Sequence, residues 1–128
     1  MDKKYQKLEG LSVRLDDVIY MPSLEAPVDK PHPFVYFITV VNNSSERVRI
    51  IGRKWIVREL DGETTVVEGD GVVGQTPTLE PGEDFSYNSY HVVADSASAQ
   101  GALFGKTADE SSVVAVIPEF NLDLPDWA

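Results

Sequence analysis

The sequence predicts an all-β chain folded as an antiparallel β-sandwich of seven or eight strands. Three observations carry that expectation. Apolar residues alternate with period two or stand in short runs, and helical periodicity is nearly absent. Glycine, proline, asparagine and aspartate separate the runs, as turns require. The chain has 128 residues, of which 42% are apolar, so it can bury one core and no more. A single domain over residues 1–128 is expected, with its core at about 11–122 and short flexible ends.

The first strand is expected from Leu11 to Tyr20, where Leu11, Val13 and Leu15 alternate with Ser12, Arg14 and Asp16. A loop holding Pro22, Pro27, Pro31 and Pro33 follows, since proline fixes φ and removes ladder donors. Phe34 to Val41 is apolar on both faces, as in a central strand. Asn42-Asn43-Ser44-Ser45 makes the next turn. Arg47 to Leu60 forms one long strand with a change of phase. Val48 and Ile50 hold even positions; Trp55 and Val57 hold odd ones. A β-bulge at Gly52 returns all four to one face and puts Arg53 on the face of Trp55. Asp61-Gly62 is a hairpin signal, and Thr64 to Glu68 pairs back. After the turn Leu79-Glu80-Pro81-Gly82, Asp84 to Val93 alternates again. Asp95 to Gln100 reads as a small-residue loop, and Ala102 to Lys106 and Val113 to Leu122 are the last strands. The length and strand count suit an immunoglobulin-like or fibronectin type III-like sandwich without a disulfide.

Composition narrows the function. Cysteine is absent, which excludes disulfides and thiolate zinc sites. A net charge of −10 disfavours nucleic acid, whose phosphates need clustered cations. One basic ribbon stands out, with Arg47, Arg49, Arg53, Lys54 and Arg58 close together. No apolar run approaches the roughly 18 residues of a membrane span. The basic start, Met1 to Lys7, leads into Leu8-Glu9-Gly10 and not into a signal-peptide core. A cytoplasmic location without membrane association is the expectation.

Gly69-Asp70-Gly71-Val72-Val73-Gly74 has the spacing of a dinucleotide phosphate loop. Such a loop opens a helix whose N–H groups hold the anion. Gln75-Thr76-Pro77 and Pro81-Gly82 follow here, and no helix persists through them. The glycines are therefore expected to shape a turn. Gly69, Gly71 and Gly74, with Arg53, stay as candidates for weak phosphate, pyrophosphate or nucleotide binding in an N–H nest. Glu68 and Asp70 oppose an anion there and are expected to brace Arg53 by an ion pair. His32 and His91 belong to no metal or triad spacing, so no catalytic residue, no metal ligand and no cofactor is assigned. Glu80, Glu83 and Asp84 read as a solvated acidic turn. The expected role is protein binding. The proline loop, the glycine loop and the Tyr90-His91 region are candidate surfaces, and Trp127 is a candidate anchor. The partner is a protein of unknown identity, and a homo-oligomer is left open.

Several of these segments together resemble the ApaG family: Gly52-Arg53-Lys54-Trp55, the glycine loop through Pro77, Pro81-Gly82, Phe85-Ser86-Tyr87-Asn88-Ser89 and Ile117-Pro118-Glu119-Phe120. The resemblance runs from about Leu11 to Leu122. It implies a fibronectin type III-like fold and a non-enzymatic interaction module, as in related domains of F-box proteins. It also implies a connection with cobalt and magnesium homeostasis. The chain departs from the family pattern at Ala99-Gln100-Gly101, at Lys54 and at Tyr90.

Overall fold

The computed structural model describes residues 4–128. The first three residues of the expected domain, and of its basic N-terminal run, lie outside the described residues. Nine strands follow in order: β1 (Gln6–Lys7), β2 (Leu11–Tyr20), β3 (His32–Asn42), β4 (Val48–Glu59), β5 (Thr64–Asp70), β6 (Thr78–Leu79), β7 (Asp84–Val93), β8 (Ala97–Thr107) and β9 (Ser112–Leu122). There is no helix among the described residues. Seven strands are long; β1 and β6 have two residues each.

The strands form two sheets. The larger has the order β1-β9-β8-β4-β5, with β6 also paired to β4; the smaller has the order β2-β3-β7. All pairings are antiparallel except β1 with β9, which is parallel. The core lies between the sheets, with Ile38, Val40, Val48, Ile50, Trp55 and Leu122 among its most enclosed side chains. The sandwich also needs a polar corner. Asn42 is fully buried, and its amide donates to the carbonyls of Glu46 and Leu79 while accepting from Ser44 N–H and Oγ. Every polar atom of that side chain is thus bonded, which offsets its desolvation.

The β4 bulge is present. Pairing with β8 slips between Ile50 and Gly52, and Trp55 returns to the core at 1% exposure. A second slip separates Ala99 from Gly101, where Pro118 and Glu119 of β9 together stand opposite Gln100. Proline is tolerated in a strand at such a bulge because no ladder donor is required of it.

Two expectations are corrected. Ala97 to Gln100 is strand and not loop. Ala97 and Ala99 are buried opposite Glu59 and Val57, a position where small side chains leave room for large neighbours. The N-terminal end is also structured from Tyr5 onward. The Tyr5 ring lies 4.8 Å from that of Phe104, and Gln6 and Lys7 pair with Val113 and Val114.

Candidate functional site

The glycine loop is a tight hairpin. Val72 and Gln75 exchange both backbone hydrogen bonds, at 2.8 and 2.9 Å. The two residues between them, Val73 and Gly74, have φ of 44° and 80°. Two consecutive positive φ values define a type I′ turn, whose twist matches that of the flanking strands. Gly71 also has positive φ, 65°, and a Cβ there would stand 2.4 Å from the Gln75 carbonyl oxygen. Val72 is fully buried and pins the hairpin to the core. Three loop amides are engaged: Gly71 N–H donates to Ile51 O, Val72 N–H to Gln75 O, and Gln75 N–H to Val72 O. Those donors are spent on the fold and are not offered to a phosphate.

Arg53 lies beside this hairpin, but its bracing differs from the expected ion pair. Nη1 donates to the carbonyl oxygens of Asp70 at 2.9 Å and Gly71 at 3.3 Å. Strand register explains this. Arg53 faces Gly69 across the β4–β5 ladder, and the guanidinium occupies the space a Gly69 side chain would fill. Glu68 pairs with Lys54 instead, at 3.3 Å. Among the described residues no carboxylate stands within ion-pair distance of Arg53. Gly69, Gly71, Gly74 and Arg53 are therefore neighbours, held together by backbone bonds.

On the same face of β4 as Arg53, a cleft of about 220 Å³ opens between the sheets. Arg53, Trp55, Tyr36, Ser89 and His91 line it, and Lys30 of the proline loop closes one side. The rings of Tyr36, Trp55 and His91 are mutually within 4.6 to 4.8 Å. The sequence reading puts His91 in a candidate surface region, and the structure buries it. It is 8% exposed, because β7 packs its inward face over Trp55. Burial pushes its imidazole down to about 4, so it is neutral at pH 7. Burial raises the Tyr36 hydroxyl, an effect that Ser89, Arg53 and Trp55 partly oppose. Trp55 Nε1 and His91 Nε2 are both buried with no partner.

The proline loop is strapped across the sandwich. Lys30 Nζ donates to Glu59 Oε2 at 2.7 Å and Glu63 Oε1 at 2.8 Å, and Tyr90 Oη donates to Glu25 O. Burial alone would raise the Glu59 carboxyl. Lys30 and the Ala94 and Asp95 amides outweigh it, and the group is held below the usual carboxylate range. His32 shares a 2.8 Å hydrogen bond with Tyr20 Oη. In the acidic turn, Glu80 pairs with Arg47 and Glu83 accepts from the Glu80 amide. Trp127 is exposed, with its ring 5.6 Å from that of Tyr20.

The outer face of the larger sheet carries a feature that single-strand reading missed. Ile56 pairs with Val66, and Lys54, Ala102 and Val116 follow one another across β4, β8 and β9. Ile56, Ala102 and Val116 line a shallow groove of about 380 Å³ with Pro118 and Glu119. Val66 is 53% exposed and Val116 52%.

Comparison with known proteins agrees with this architecture. Residues 22–106 match the family model described as the ApaG domain. Protein ApaG of Acidithiobacillus ferrooxidans is 35% identical over 104 residues, covering 80% of this chain and 82% of that protein. Protein ApaG of Nitrosomonas europaea is 36% identical over 108 residues, covering 84% and 85%. A crystal structure of a putative ApaA protein from Bordetella pertussis superposes with a TM-score of 0.81 at 29% identity, covering 94% and 98%. The matched length, the glycine hairpin and the two-sheet architecture together lead to one assignment: the chain belongs to the ApaG family.

Proposed function

We propose that this protein is a non-enzymatic interaction domain of the cytoplasm that docks a partner protein on the outer face of its larger sheet. The observation that carries the reading is the apolar groove of Ile56, Ala102 and Val116, with Val66 beside it. One face of an antiparallel sheet ordinarily faces water and is polar. Contiguous apolar side chains on that face favour a partner's apolar surface. Lys54 and Glu119 border the groove and supply polar rim contacts. No helix among the described residues is long and apolar enough to cross a membrane. The family's connection with cobalt and magnesium homeostasis is then served through the partner and asks for no ligands on this chain.

The test uses tagged protein as bait in native extract, beside a Val66→Glu/Val116→Glu double variant. Both sites are exposed, so the variant keeps its melting temperature within a few degrees. We expect at least one stoichiometric partner to be retained by the natural chain and lost by the variant. Identical capture profiles would refute the reading.

A further inference from the structure

The larger sheet is open at one end. β5 is last in its strand order, and no strand among the described residues lies beyond it. The register sets which of its backbone groups are free. Glu59 N–H donates to Glu63 O and Gly71 N–H to Ile51 O, so hydrogen-bonded pairs alternate between those two positions. Thr65, Val67 and Gly69 turn their N–H and C=O groups to β4. Thr64, Val66 and Glu68 turn theirs outward, and all three residues are exposed. Arg53 closes the edge at its far end by bonding the Asp70 carbonyl. The other sheet edges are blunted. β2 slips between Leu15 and Asp17 among the charges of Arg14, Asp16 and Asp17. β9 is covered by β1 at Val113 and Val114 and interrupted by Pro118. β7 exposes Asp84, Ser86 and Asn88. Thr64 to Glu68 has no proline and no slip, and opens with four β-branched residues in a row.

We propose that the partner protein, in docking on the outer face, adds an extended cationic segment to β5 as an antiparallel strand, an inference that rests on the reading of that face as the docking surface. Backbone pairing supplies the attachment, since an added strand meets the outward groups of Thr64, Val66 and Glu68. Side chains supply the selectivity. Val66 is 53% exposed and stands beside Ile56 of the groove, so an apolar residue opposite it continues the groove's surface. Carboxylates bracket the edge. Glu63 and Glu68 are offset by Lys30 and Lys54. Asp61 before the strand and Asp70 at its end have no cation within ion-pair distance among the described residues. Lysine or arginine at both ends of the added segment meets them. A second copy of this chain would bring the same carboxylates and a net charge of −10.

The probe is the end-capped peptide Lys-Thr-Val-Thr-Val-Thr-Lys, whose lysines and valines share one face. We expect saturable amide shifts with a dissociation constant below about 1 mM. At saturation, hydrogen exchange at Thr64, Val66 and Glu68 should slow at least about tenfold, while Thr65 and Val67, already bonded to β4, change little. Glu68→Pro removes an outward donor together with the charge; Glu68→Gln removes the charge alone. The proline variant should bind at least about tenfold more weakly than the glutamine variant. If Glu68→Pro loosens the fold, the exchange pattern of the natural chain decides. Val116→Glu, in the groove and away from the edge, should leave the peptide's affinity within about threefold. No protection at the outward amides, or equal binding of the same peptide with glutamate for lysine, would overturn the proposal. So would protection that grows with protein concentration in the absence of peptide, which assigns the edge to a second copy. Peptide binding lost in Val116→Glu, with the outward amides unprotected, would overturn strand addition and leave the groove reading standing.

Discussion

Lowering the pH is expected to destabilise this protein through a single imidazole. His91 is 8% exposed, lies between Tyr36 and Trp55, and holds its proton affinity down to about 4 against an ordinary 6.5. The unfolded chain takes up the proton near 6.5; the folded chain refuses it until about 4. The stability that His91 governs is therefore full above 6.5, falls as the pH drops from 6.5 towards 4, and levels off below. Each pKa unit corresponds to about 1.4 kcal/mol, so the complete loss is about 3 kcal/mol, of which about 2 kcal/mol is gone by about pH 5. That is a large fraction of the stability of a small domain. The assay is urea unfolding followed by tryptophan emission at about pH 7.5 and about pH 5, on the natural chain and on His91→Phe. Phenylalanine keeps the ring contacts and removes the titration. The natural chain should lose about 2 kcal/mol more than the variant across this interval. Equal losses in the two proteins would show that His91 titrates normally and that the packing described around it is wrong.

Two further outcomes follow from the same packing. Trp55→Ala should cost about 3–5 kcal/mol in urea unfolding, because a large aromatic at 1% exposure leaves a cavity the sheets cannot close; a loss below about 1 kcal/mol would contradict its core position. Val73→Asn should raise the melting temperature, by stabilising the hairpin about 1 kcal/mol, since a β-branched residue at φ 44° is strained where asparagine is at ease; a lower melting temperature would refute the type I′ assignment.

Much of the fold was legible in the sequence for identifiable reasons. Alternation fixed β2 and β7 to their ends, and a parity switch from Ile50 to Trp55 revealed the bulge at Gly52. The prolines after Gly74 ruled out a helix, and the loop is indeed a turn. What stayed hidden depends on which residues meet across strands. The start of β8 is Ala-Ser-Ala-Gln, small residues with no strand signature; their size makes sense only opposite Val57 and Glu59. Arg53 invites an ion pair with Glu68 or Asp70 when charges are read along the chain. Register places Gly69 across from it and leads the guanidinium to carbonyl oxygens instead. His91 looks superficial until β7 is laid over Trp55. The outer groove draws on three strands, with Val66 of a fourth beside it, and none of them looks unusual alone.

The central claim is that partners dock on the outer sheet face and not at the glycine hairpin or the inter-sheet cleft. The direct measurement is quantitative capture from native extract with four baits of matched stability: the natural chain, Val66→Glu/Val116→Glu on the groove, Val73→Glu on the hairpin and Val67→Phe at the cleft. The account predicts that the partner disappears from the groove variant alone. Retention by the groove variant, with loss from the hairpin or cleft variant, would contradict it.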